Sequence, residues 1–259
     1  MNVFRIIYKF IRHFLTAQNT KGFGVHSPFM FQFIQNVLSE RHYFYVFSEI
    51  EALRSELKRN KTIVSITDYG MGINREDSVS QIANKSLKSA KYGQLLFRII
   101  RYFNAVNVLE LGTSLGITTS YLASSSSKIK CISLEGCKQI ADNAETNFKK
   151  LKLTNIELVV GNIDSTLEDV LSKTHKLDFI FIDANHNSEA VIRYFEMCLS
   201  KVHNDTIIIL DDIYWSNDME KAWKIIKDHP KVTSTVDIFQ IGIVFFNPHL
   251  HKKHYKLYY

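Results

Sequence analysis

Residues 106–116 read VNVLELGTSLG. A mostly apolar run reaches Glu110, a turn follows with Gly112 and Gly116, and residues 117–123 (ITTSYLA) then take a helical pattern. An open α/β sheet holds a nucleotide-type cofactor with this succession of strand, glycine turn and helix. The glycines let the backbone approach the ligand, and the first N–H groups of the helix are left to bind it. Glu135 stands 23 residues after Gly112, at the end of the next apolar run, 130–134. There a carboxylate can accept two ribose hydroxyls. The turn lacks the third glycine of the G-x-G-x-x-G dinucleotide pattern.

Outward from this stretch, strand and helix patterns alternate. Strands are expected over 106–111, 130–134, 156–160, 177–183 and 206–211, with helices over 117–123, 138–151, 166–171 and 188–199. A helix near 219–227 leads to two late strands, 233–239 and 241–246. Near-continuous apolar strands between helices predict a mostly parallel sheet covered on both faces, here with an antiparallel final pair. Before residue 90 the patterns are helical. Phe4, Ile6, Ile7, Phe10, Ile11, Phe14 and Leu15 recur at helical spacing, and 29–38 and 49–61 follow as helices. A loop over 19–28 and a glycine turn, DYGMG at 68–72, punctuate this part, the second after the alternating stretch 62–67. The expected division is a helical extension over 1–88 and a sheet domain over 89–259.

Composition bounds the classes. A chain of 259 residues, 46% hydrophobic, with 3 prolines and 10 glycines, can bury one large core. No run approaches the roughly 18 apolar residues of a membrane span. Arg5, Lys9, Arg12 and His13 interrupt the apolar start, which is not a signal-peptide pattern. Cys131, Cys137 and Cys198 have no metal-ligand spacing and read as reduced thiols, so a cytoplasmic location is expected. Net charge is +6. Residues 1–61 hold nine basic side chains against four acidic ones, read as a solvated face of an accessory helical layer.

Two further strand ends bring the chemistry. Residues 179–183 read FIFID, followed by Ala184, Asn185 and His186. Residues 207–212 read IIILDD, followed by Ile213, Tyr214 and Trp215. Ligands of open parallel sheets bind outside the carboxyl ends of the strands. Asp183, Asp211 and Asp212 are therefore expected at the edge where the glycine turn holds its cofactor. Converging carboxylates repel one another unless a cation or protons compensate, and oxygen-rich sites suit Mg²⁺, Ca²⁺ or Mn²⁺.

Glu110-Leu-Gly112 with Gly116 and Glu135 resembles motif I of the class I S-adenosylmethionine-dependent methyltransferases, whose sheet has seven strands in a doubly wound, Rossmann-like fold. The acidic strand ends resemble the catechol and caffeoyl-CoA type of O-methyltransferase, and broader bacterial groups that methylate small molecules. Gly93-Gln94-Leu95-Leu96 resembles that family's glycine-containing helix start, and the likeness covers roughly 88–246. The resemblance implies S-adenosylmethionine as cofactor. Glu110, Gly112, Ser114, Gly116 and Thr118 would line its methionine and ribose, Glu135 would take the ribose hydroxyls, and Asn162 after Gly161 would lie near the adenine. It implies a divalent metal on Asp183, Asp211 and Asp212, with Asp183 also beside the cofactor and in the catalytic set. Asp212 stands where the family has Asn, and His186 where it has a catalytic Lys. A neutral imidazole accepts a proton near neutral pH without the burial that a lysine base needs.

The implied reaction is in-line methyl transfer to a small-molecule hydroxyl, with Tyr214 and Trp215 walling the acceptor. Plainer readings compete: Asp211-Asp212 as a helix N-cap, His186 as the cap of the helix from Ser188, and His249, His251 and His254 as a solvated basic tail. RNA or DNA is an alternative acceptor suggested by the basic charge. Against it, DANH at 183–186 is not the Asn/Asp-Pro-Pro-aromatic tetrapeptide of base N-methyltransferases. A third reading is a non-enzymatic module docking on a membrane surface or partner through residues 4–15. Dense aromatics at this position more often cover an active site or build a homodimer, which ranks above the membrane.

Overall fold

A computed structural model describes residues 3–18, 25–68 and 73–259. Most of the expected 19–28 loop and the DYGMG turn after Asp68 lie outside the described residues. In chain order the first elements are α1 (Val3–Thr16), α2 (Pro28–Phe33, continued by one π-helical turn at Ile34–Leu38) and α3 (Tyr45–Leu57). Strands β1 (Ile63–Asp68) and β2 (Ile73–Ser78) and helices α4 (Val79–Ser86) and α5 (Ala90–Phe103) follow. Strand and helix then alternate through β3 (Asn107–Leu111), α6 (Ile117–Ala123), β4 (Lys130–Glu135), α7 (Lys138–Lys150), β5 (Ile156–Val160) and α8 (Ile163–Lys173). The alternation continues through β6 (Phe179–Ile182), α9 (Ser188–Cys198), β7 (Ile207–Asp211) and α10 (Asn217–Asp228). Strands β8 (Ser234–Asp237), β9 (Ile241–Phe245) and β10 (Lys253–Lys256) end the chain. The fold is α/β and Rossmann-like, with a mostly parallel central sheet.

Two compact units divide the chain: His42–His175, and Met1–Arg41 with Lys176–Tyr259. In the first, parallel strands run in the order β3-β4-β5, with Asn107 opposite Lys130 and Cys131 opposite Ile156. Phe47, Ile50, Phe97, Ile117 and Tyr121 belong to one buried cluster of this unit. Gly93 lets α5 approach α6, because a Cβ there would lie 2.5 Å from the Tyr121 ring. The extension expected to be helical also contains an antiparallel hairpin, with β1 on β2 from Ile63–Ser78 to Asp68–Ile73. A capping box at Ser78 and Gln81 then starts α4.

The second unit orders its strands β10-β8-β9-β7-β6. β6 and β7 are parallel and wholly buried, while β9 runs antiparallel to both β7 and β8. β10 runs parallel to β8 and adds a strand beyond the expected antiparallel final pair. The tail read as solvated is therefore a strand end. Tyr255 and Leu257 are 5% and 0% exposed and anchor it, while His249, His251, Lys252, Lys253 and His254 before them are exposed.

Candidate active site

The expected cofactor turn is built as the sequence suggests. β3 ends at Leu111, and the amides of Gly112 and Thr113 both donate to Leu134 O, at 3.0 and 3.1 Å. Gly112 (φ 103°), Ser114 (φ 49°) and Gly116 (φ 78°) all take left-handed backbone, which winds the chain tightly into α6. Gly116 is also required by packing, since a Cβ there would stand 2.5 Å from the Phe148 ring of α7. Thr118 is buried in the first turn of α6.

Glu135 closes this turn from β4. Its Oε2 accepts the Ser114 amide at 2.8 Å and its Oε1 the Cys137 amide at 2.9 Å. These two backbone donors, one to each oxygen, orient the carboxylate. Asn162 caps α8, its Oδ1 accepting the Asp164 amide at 3.1 Å, directly after Gly161 at φ 147°.

Glu110 lies beneath the turn, fully buried. Its Oε2 accepts hydroxyl bonds from Thr119 at 2.5 Å and Ser133 at 2.6 Å, while Oε1 is buried without a hydrogen-bond partner. Thr113 Oγ1 lies 2.6 Å from Ser133 Oγ and extends the chain of hydroxyls. Burial pushes the Glu110 carboxyl up to about 8 against the opposing pull of the two hydroxyls. Sequence reasoning missed Thr113, Thr119 and Ser133. The available signal was three small hydroxyl residues within otherwise apolar elements.

In the other unit, Asp183 and Asp211 end adjacent parallel strands, one residue past the last β6 pair in the register, Ile182 opposite Leu210. His186 (φ 37°) and Asn185 (φ 64°) form a left-handed turn after β6, and Asn185 donates to Tyr194 OH at 2.5 Å. The turn sets His186 Nε2 3.8 Å from Asp183 Oδ1 and the imidazole 6.1 Å, centroid to centroid, from the Trp215 ring. Both capping readings fall away. Asn187 caps α9 through the Glu189 and Ala190 amides, and Ser216 caps α10 through the Met219 amide. His186 and the Asp211-Asp212 pair are not used as helix caps. Trp215 is exposed, as an acceptor wall requires. Tyr214 instead donates to Asp237 Oδ2 at 2.5 Å and stacks on Phe239. Burial and that carboxylate push its phenol far up, so Tyr214 keeps its proton.

The expected three-aspartate metal set is not assembled. Asp211 is 1% exposed at the end of β7, and Asp212 follows it in left-handed backbone at φ 51°. Among the described residues, no group of three His, Cys, Asp or Glu side chains could hold a metal ion. These carboxylates do not fit a preformed hard-cation centre, which needs several converging oxygens.

Residues 109–213 match the family model described as a methyltransferase domain. No curated protein matches the chain. Among solved structures, an O-methyltransferase from Bacillus cereus in complex with SAH is 22% identical with a TM-score of 0.59, covering 83% of this chain and 96% of that one. The O-methyltransferase TomG from Streptomyces achromogenes, in complex with SAM, is 16% identical with a TM-score of 0.59, over 79% and 91%. SAH-bound methyltransferase PaMTH1 from Podospora anserina is 15% identical with a TM-score of 0.55, over 80% and 98%. The glycine turn and both acidic strand ends fall within or at the limits of the segment that matches the methyltransferase-domain model, and these solved methyltransferases share the chain's fold.

Proposed function

We propose that this protein is an S-adenosylmethionine-dependent O-methyltransferase acting on the hydroxyl of a small molecule. The observation that carries the reading is the anchoring of Glu135 by the Ser114 and Cys137 amides, at the end of β4 and beside the glycine turn. That is the place and orientation for a carboxylate that accepts a ribose diol. Gly112, Ser114, Gly116 and Thr118 would carry the methionine end of the cofactor and Asn162 the adenine end, with Glu110 supporting the turn from below. When bound, S-adenosylmethionine supplies an activated sulfonium methyl.

The chain's own part is alignment and proton removal. His186 Nε2 takes the proton of the acceptor hydroxyl as its oxygen forms the new bond to carbon, and Asp183 stabilises the resulting imidazolium. The products are a methyl ether, S-adenosylhomocysteine and a protonated His186, which then releases its proton to solvent. Trp215 offers an apolar face to the acceptor. The test is transfer of labelled methyl from S-adenosylmethionine to a panel of hydroxylated small molecules, with RNA and DNA in parallel. O-methylated product from a small molecule supports the reading, and label only in nucleic acid contradicts it.

A further inference from the structure

Helix α1 turns Arg5, Lys9 and His13 inward, with Arg12 left exposed. Arg5 Nε donates to Asn217 Oδ1 at 2.7 Å and its Nη1 to Tyr214 O at 3.1 Å. Arg5 and Lys9 both pair with Glu220, Lys9 at 2.8 Å, and His13 Nε2 lies 3.0 Å from Leu257 O. The opposite side presents Phe4, Ile7, Tyr8, Ile11, Phe14 and Leu15, between 50% and 86% exposed. A surface helix ordinarily does the reverse.

The outward residues have a definite repeat. Phe4 and Ile11, Ile7 and Phe14, and Tyr8 and Leu15 are each seven residues apart, two heptads of a helix-packing seam. Tyr258, edge-on to Phe14 at 4.9 Å and itself exposed, widens the patch. An aromatic side chain buries ~150–250 Å² when covered. Six large apolar side chains therefore offer several hundred Å², comparable with the ~800 Å² per partner of a stable interface and beyond what a monomer ordinarily leaves open.

We propose that this face of α1 is a dimer seam, covered by the same helix of a second copy of the chain. A two-fold interface needs a self-complementary patch, and a heptad stripe of uncharged side chains is one. A lipid surface fits less well. A helix lying on a bilayer turns its Lys and Arg toward the headgroups, whereas here Arg5 and Lys9 are bound to Glu220 on the inner side and only Arg12 of the three is exposed.

The test is sedimentation of the full chain at micromolar concentration, as wild type and as Ile7→Glu/Ile11→Glu. The wild type should sediment at twice the 30.0 kDa chain mass and the double variant at the single-chain mass. Both substituted side chains point away from the Arg5, Lys9 and His13 contacts, so the far-UV spectrum and the affinity for S-adenosylhomocysteine should not change. If the double variant folds poorly, Tyr8→Lys reads the same loss of mass. A single-chain wild type overturns the proposal, and if it also floats with anionic vesicles, lipid is the occupant instead. A well-folded double variant that keeps the doubled mass places the contact elsewhere and overturns it equally.

Discussion

His186 Nε2 stands 3.8 Å from Asp183 Oδ1, too far for a hydrogen bond and close enough to stabilise a protonated imidazole. In the proposed reaction the pair would serve as a base with a charge partner. We predict that His186→Ala lowers kcat by about 10²- to 10⁴-fold, the range for a lost general base, with cofactor affinity unchanged. An equal kcat in the two proteins would remove His186 from the chemistry.

Metal removal separates this account from the one that the aspartates suggest. No three-donor group forms among the described residues, so methyl transfer should proceed at the same rate after dialysis against EDTA. Asp212→Asn, which restores the amide of the caffeoyl-CoA family, should not create Mg²⁺ dependence. Loss of activity in EDTA with recovery on added Mg²⁺ would reinstate the metal.

Glu110 couples stability to pH. Burial raises its carboxyl to about 8 in the folded chain, while the unfolded chain releases the proton near the ordinary value of about 4.3. Between these values the folded state binds more protons than the unfolded one. Stability contributed by this group is therefore fully present below about 4.3 and falls as pH rises toward about 8. At pH 7 the loss is on the order of 3 kcal/mol. Glu110→Gln cannot ionise, so its Tm relative to wild type should climb from pH 5 to pH 8. A constant difference across that range would contradict the burial argument.

Gly116→Ala tests the turn. The substitution forces left-handed backbone on an alanine and sets its Cβ 2.5 Å from the Phe148 ring. Left-handed strain of ~1–2 kcal/mol and overpacking of ~1–3 kcal/mol predict a loss of about 2–5 kcal/mol. Thermal unfolding measures it, and a change below about 1 kcal/mol would show that α6 and α7 separate easily.

Much of this was legible in the sequence, for a physical reason. From residue 107 on, apolar strands and amphipathic helices follow their own periodicities, and α6 occupies the expected residues 117–123. The hairpin was not legible. β2 reads INREDS, a polar run that is a strand only because β1 pairs with it. β10, reading KHYK, is held by Tyr255 and by pairing with β8, contacts that no local pattern announces. The apolar stripe of α1 was visible, but its direction was not. Glu220 and Leu257, more than 200 residues away, hold its basic side inward. At the site, the sequence placed the aspartates at strand ends but could not tell that Asp211 is buried and that Asp212 takes left-handed backbone.

The most direct test of the cofactor turn is calorimetric titration of S-adenosylhomocysteine into the wild type and into Glu135→Ala. The wild type should bind with micromolar Kd. The variant loses charge-assisted hydrogen bonds worth about 1.5–3 kcal/mol and the brace on Ser114, and should bind about 10- to 100-fold more weakly. No heat of binding in the wild type, or equal affinity in the two proteins, would contradict the assignment of this turn to S-adenosylmethionine.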